Sequence, residues 1–253
     1  MSLDIEAALR EAYDRTLARN GLILVGVYFV VSLLSTVASQ TQAAQTADQL
    51  EDIPFFADAG ILEPGPLAVP ALPSALVSLL SIAMSVATVV VAITVYRVFA
   101  SEERETVPEE AYRRGIGVAT LNGVVATIIF GILVAVGLVL LIIPGIFLAV
   151  SLLFFLVFVA LEDKSFIDSL QASWGLTQGR RLSVFLLLVA LLIITVVVSI
   201  VGGIVAAVFG SAVPLVGSLI NIAIGAALFV FSLGVITDAY FQLREENESA
   251  VAE

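Results

Sequence analysis

The sequence predicts an all-α polytopic membrane protein: six transmembrane helices paired as three hairpins, with short interfacial amphipathic helices between them. Three observations carry this expectation. Hydrophobic residues fill 60% of the chain, against about 45–50% in a soluble domain. The apolar runs are long enough to cross a bilayer, which takes about 20 residues. The eleven basic residues cluster in alternate links between those runs.

Residues 1–20 read as an interfacial helix, mixing Arg10, Arg15 and Arg19 with Asp4, Glu6, Glu11 and Asp14. A secretory leader has a short, positive start, so these acids argue against a cleaved signal despite the small residues of "STVASQTQAA". The first span is expected over 21–39. An acidic loop follows over 40–73, with Asp48, Glu51, Asp52, Asp58 and Glu63 and no base. Asp48, Glu51 and Asp52 have helical spacing. They lack the alternating ligands and fixed glycine of an EF-hand, and read as a solvated face. The second span covers 74–100.

Residues 116–161 are continuously apolar. One helix of that length would run about 69 Å, twice the hydrocarbon core. The run must fold back, and Pro144-Gly145 in "IIPGIF" is the expected turn, because proline removes a donor and glycine permits a bend. Spans three and four are therefore placed at 116–142 and 145–161. Residues 182–242 repeat the device around "GSAVPLVGS", giving spans at 182–210 and 216–242 and a cytoplasmic tail at 243–253.

Between the second and third hairpins, residues 162–181 form an inner interfacial helix. Ser165 and Asp168 have capping-box spacing. Phe166, Leu170, Ser173, Trp174 and Thr177 fall on one face, with Trp174 at the membrane boundary. Gly179 ends the helix, and Arg180 with Arg181 mark the headgroup level. A shift of 161 residues lays Leu9, Tyr13, Thr16 and Arg19 onto Leu170, Trp174, Thr177 and Arg180. The unit is an interfacial helix followed by a hairpin. Residues 106–115, with Thr106 and Glu109 as a capping pair, read as a third copy.

All eleven bases fall on one side of this topology, so the positive-inside rule places both termini in the cytoplasm and 40–73 outside a cell membrane. The formal net charge of −11 excludes a nucleic-acid binder. With no cysteine and no histidine, disulfides, imidazole bases and the common zinc sites are ruled out. The acid-rich, lysine-poor composition fits a salt-adapted organism.

Candidate sites are few. Arg97 and Asp238 are the ionisable residues inside apolar runs, each near a cytoplasmic helix end where it reads as an interfacial anchor. Asn122 and Asn221 read as interhelical hydrogen-bonding residues. Ser199, Gly203 and Ala207 form one small-residue stripe; Gly202, Ala206 and Gly210 another; Gly217, Asn221 and Gly225 a third; Gly131 pairs with Ala135. Such stripes let helix backbones approach within one subunit. No catalytic set, cofactor or metal site is expected.

The stretch 143–185 carries Pro144-Gly145, an apolar span, Glu162-Asp163, and then Ser169, Leu170, Ser173, Trp174, Leu176, Thr177 and Gly179. It resembles the membrane domain attached to some glycerophosphoryl diester phosphodiesterases and its stand-alone bacterial and haloarchaeal relatives. The phosphodiesterase chemistry of that family belongs to a separate soluble domain, so the resemblance implies architecture and no reaction. The expected function is a non-enzymatic scaffold, envelope factor or accessory subunit. Its expected partners are membrane lipids and another membrane protein or a second copy. The alternative is a transporter or binder of a small apolar or lipid-like solute.

Overall fold

The computed structural model describes residues 3–50 and 65–252 of the chain. Every regular element among them is helical: α1 (Ile5–Leu17), α2 (Arg19–Leu50), α3 (Ser74–Phe99), α4 (Glu109–Arg113), α5 (Ile116–Leu140), α6 (Ile142–Ser151), α7 (Phe155–Glu162), α8 (Phe166–Thr177), α9 (Arg181–Gly210) and α10 (Pro214–Ala252). Six segments are long and apolar enough to cross a membrane, namely α2, α3, α5, the joined α6–α7, α9 and α10. The chain is an all-helical polytopic membrane protein.

Several boundaries differ from expectation. Helix α2 continues to Leu50, where a loop was expected from residue 40. Helix α10 continues to Ala252, through the segment expected as a tail. The turn before the fourth span falls at Leu141, a single extended residue with φ −160°. Pro144 and Gly145 lie inside the first turns of α6. Proline is tolerated in a first turn because its missing N–H would have no intrahelical partner there. Gly145 serves close packing: a Cβ added at Gly137 would lie 2.8 Å from the Gly145 Cα. The fourth span is also broken, with a turn at 152–154 between α6 and α7. The Thr106–Glu109 capping pair does not form; Pro108 caps α4 without a side-chain bond.

The chain divides into two compact units. The first comprises Met1–Val25, Val89–Val196 and Ala227–Glu253; the second comprises Gly26–Thr88 and Val197–Ala226. In the first unit, α5 packs on α6 and α7, and α8 packs on α7. The contact stripe of α5 is Ala119, Gly123 and Ala126, all buried. A Cβ on Gly123 would come within 2.9 Å of Val89 Cγ1, whereas one on Gly131 would meet nothing. Gly131 is therefore outside the packing face, and Ala119–Gly123–Ala126 replaces the expected Gly131–Ala135 pair.

Helices α1 and α8 correspond under the 161-residue shift in their caps and buried faces, at positions matched in sequence and at others besides. Both are capped by a side chain at the corresponding residue: Asp4 accepts from Ala7 N–H, and Ser165 from Asp168 N–H. Both bury the corresponding face, Ala8, Ala12 and Thr16 in α1 and Ser169, Ser173 and Thr177 in α8. Tyr13 and Trp174 are exposed in register.

In the second unit, the extension of α2 fastens the returning chain. Gln40 Oε1 accepts from Leu67 N–H at 2.9 Å, Thr41 Oγ1 accepts from Val69 N–H at 3.0 Å, and Gln45 Nε2 donates to the Leu72 carbonyl at 2.6 Å. Lower down, the Tyr28 hydroxyl is hydrogen-bonded to Thr88, joining α2 to α3. The α9–α10 hairpin closes on glycine. A Cβ at Gly217 would lie 2.6 Å from the Ala206 carbonyl oxygen and 3.0 Å from the Gly210 Cα. One at Gly202 would lie 2.4 Å from Ile224 Cδ1, and one at Gly203 would meet nothing. The packing stripe is thus Gly202–Ala206–Gly210, and Gly203 stands in open space. Asn221 is exposed without a hydrogen bond to any described residue, and Gly225 is likewise open. The acids at 51–63 lie outside the described residues.

Candidate functional site

The polar chemistry of the first unit gathers where α7 ends. Asp163 caps α7 with φ +51°, the only positive φ among the described non-glycine residues. Aspartate adopts this left-handed conformation more readily than most residues. The bend turns the adjacent carboxylates toward different partners. Glu162 Oε1 accepts from the Tyr240 hydroxyl at 2.5 Å and from Arg244 Nη1 at 2.7 Å, while Lys164 Nζ lies 3.0 Å from Oε2. Asp163 Oδ1 accepts from Arg97 Nη2 at 3.0 Å, and its Oδ2 from Arg114 Nη2. That bond raises the pKa of the Arg114 guanidinium.

Arg97 is more deeply placed than an anchor reaching for water. Its side chain is 7% exposed. Nε donates to the Ala160 carbonyl at 2.8 Å and Nη1 to the Arg114 carbonyl at 2.6 Å. A planar guanidinium with five fixed donors suits this task, joining the end of α3 to α7 and to the chain after α4. Its ionic partner is Asp163. Asp238 instead accepts from Gln242 Nε2 at 2.6 Å. It lines an open cavity of about 920 Å³ between α1, the end of α3 and α10, together with Asp4, Glu11, Asp14, Arg15 and Glu245.

A second polar feature lies at the break in the fourth span. Ser173 Oγ accepts from Phe154 N–H at 3.0 Å and donates to the Ser151 carbonyl at 3.2 Å; Thr177 Oγ1 lies 3.2 Å from the same carbonyl. All three residues Ser151, Ser173 and Thr177 are fully buried. Backbone groups freed by a broken helix must find partners when water is excluded. The hydroxyls of α8 supply them. The face of α8 expected to meet the membrane is therefore divided: Ser173 and Thr177, with Ser169 and Leu176, face protein, while Trp174 remains 39% exposed.

After α8, Gly179 takes φ +81° and the chain enters α9 through two arginines with different fates. Arg180 Nε pairs with Glu246 Oε2 at 2.9 Å, and Nη1 donates to Asn247 Oδ1, tying the start of α9 to α10. Arg181 lies over two rings, 4.4 Å from the Trp174 centroid and 4.5 Å from that of Phe147. Those rings meet edge to face at 5.5 Å.

Of the residues singled out in the sequence, Arg97, Trp174, Arg180 and Asp238 lie in this unit with Pro144 and Gly145. Gly203 and Asn221 belong to the other unit. Tyr240, Arg244 and Ser151 were not singled out as site residues, and Arg181 was expected only to mark the headgroup level beside Arg180. A tyrosine and arginine four apart on α10, and a serine inside the apolar run before Glu162-Asp163, were the available signals. Among the described residues, no group of three or more metal-binding side chains occurs.

Six membrane-length helices define a multi-pass helical membrane protein. Residues 3–243 match the family described as Domain of unknown function (DUF7847), and the chain belongs to that family. Comparison with curated proteins and with solved structures finds no match.

Proposed function

We propose that the protein is a non-enzymatic membrane scaffold, acting as an envelope factor or accessory subunit. The observation that supports this most is the Glu162–Asp163 corner. Its carboxylates are engaged by Arg97, Arg114, Arg244, Lys164 and Tyr240 from four parts of the chain. Side chains held this way position helices; a reacting group needs an oxygen or nitrogen turned toward a substrate.

The proposed location is the cell membrane with both termini cytoplasmic. All eleven lysine and arginine residues fall in the first unit, a segregation that supports the positive-inside assignment. Kinship with the membrane domain of glycerophosphoryl diester phosphodiesterases, and a salt-adapted, archaeal-like source, rest on the motif at 143–185 and on the acid-rich composition. The proposed partners are membrane lipids and another membrane protein or a second copy. A second reading, a binder or transporter of a lipid-like solute, is favoured by an apolar groove beside Arg181.

Complementation of a deletion strain tests the scaffold. Resistance to membrane stress should track the amount of folded protein for Tyr240→Phe, Glu162→Gln and Arg180→Gln. A variant present at the normal level that still fails to restore resistance would assign that side chain a direct chemical role and overturn the reading.

A further inference from the structure

Nine of the eleven basic residues have a carboxylate within ion-pairing distance among the described residues; Arg19 and Arg181 do not. Arg181 is the more telling, because its Nε is buried without a hydrogen-bond partner. A buried charged donor with no acceptor is costly to retain. The Trp174 and Phe147 rings hold the guanidinium in place but offer it no acceptor.

Two further features converge on the same point. Arg181 opens α9, a helix of 30 residues, and the first-turn amides of Arg181, Leu182 and Ser183 have no acceptor among the described residues. Free amides at a helix start favour an anion. Arg181 also stands at the edge of a groove of about 410 Å³ whose other walls are hydrocarbon: Ile143, Ile146, Phe147, Val150, Leu182 and Phe185. Nothing in that lining competes for a negative charge.

We infer that this groove binds an acidic phospholipid of the surrounding bilayer, one acyl chain lying against Ile143, Ile146 and Phe185 and the phosphate headgroup accepting from Arg181. An apolar trough beside an unpaired arginine matches a molecule that carries both an alkyl chain and an anion. A soluble anion would leave the trough empty, and a zwitterionic lipid would set its own ammonium against Arg181. The inference does not depend on the scaffold reading, which would survive its failure.

Trp174 is the only tryptophan and stacks on Arg181, so its fluorescence reports occupancy. The protein is reconstituted into phosphatidylcholine vesicles containing a minor fraction of dibrominated phosphatidylglycerol or, separately, dibrominated phosphatidylcholine. The acidic lipid should quench Trp174 more strongly at equal mole fraction, corresponding to about a tenfold preference for one charge-assisted contact. Arg181→Gln should remove the difference and Arg19→Gln should retain it. Excess inorganic phosphate should leave the preference intact. Equal quenching by both lipids in the unaltered protein would overturn the inference without recourse to a variant. A preference surviving in Arg181→Gln, or abolished by inorganic phosphate, would also overturn it.

Discussion

Arg97 shows how one side chain can hold three pieces of backbone. Truncating it to methionine preserves much of the apolar stem and removes every donor. The Ala160 and Arg114 carbonyls then lose their guanidinium donor, and the Asp163 carboxylate keeps only Arg114. Leaving the part-buried Ala160 carbonyl unsatisfied costs about 1–3 kcal/mol, while Arg114 and Asp163 are exposed to water and contribute little. Arg97→Met should therefore lower the melting temperature of the detergent-solubilised protein by several degrees, while Arg113→Gln, on a side chain 72% exposed, should leave it unchanged. At Gly203 the structure departs from the expectation from sequence, while Gly217 packs as its stripe was expected to. A leucine at Gly203 enters open space, whereas any side chain at Gly217 meets the backbone of α9. Gly217→Ala should destabilise by about 1–3 kcal/mol through overpacking. Gly203→Ala should be neutral or stabilising by up to about 1 kcal/mol, from helix propensity. Thermal melting of the two variants side by side checks both signs.

At the scale of elements, α8 acts as a brace for the broken span. Its hydroxyls are needed because the turn at 152–154 leaves backbone groups that lipid cannot satisfy. Ser173→Ala should cost about 1–3 kcal/mol and speed hydrogen exchange at the Phe154 amide, whose acceptor is lost. Thr177→Val should cost less, since Ser173 still reaches the Ser151 carbonyl. The double variant should lose more than the sum of the single losses, because the two hydroxyls back each other up at one acceptor. A strictly additive result would show that they act separately. The corresponding α1 carries alanine at two of the three matching buried positions, Ala8 and Ala12. The repeat thus conserves the buried face, and the copy beside the broken helix carries hydroxyls at all three positions where α1 has only Thr16.

For the whole molecule, the testable property is which way the chain crosses the membrane. Ser39 and Thr46 are exposed on α2 in the second unit, which contains none of the basic residues. The chain has no cysteine, so Ser39→Cys or Thr46→Cys creates a unique label site. A membrane-impermeant maleimide should label Thr46→Cys in intact cells. Labelling only after lysis would reverse the orientation proposed for both termini.

The sequence by itself determined the helical class, the number of membrane-length runs and the segregation of basic residues. It also showed the capping of α8 by Ser165 and Asp168. These follow from local composition: apolar length decides whether a helix can cross a bilayer, and a cap needs only residues three apart. The tertiary structure alone decided which residues do the joining. Arg97, expected as a lone interfacial anchor, pairs with Asp163, a carboxylate 66 positions away. Gly202 packs and Gly203 does not, because adjacent helical residues point about 100° apart and only the facing helix selects between them. The turn at Leu141 was legible to within a few residues of Pro144-Gly145, but the break at 152–154 was illegible, since the apolar run there carries no mark of where its backbone opens. What permits that break is a pair of hydroxyls more than 15 residues further along, and their role exists only once α8 has folded back.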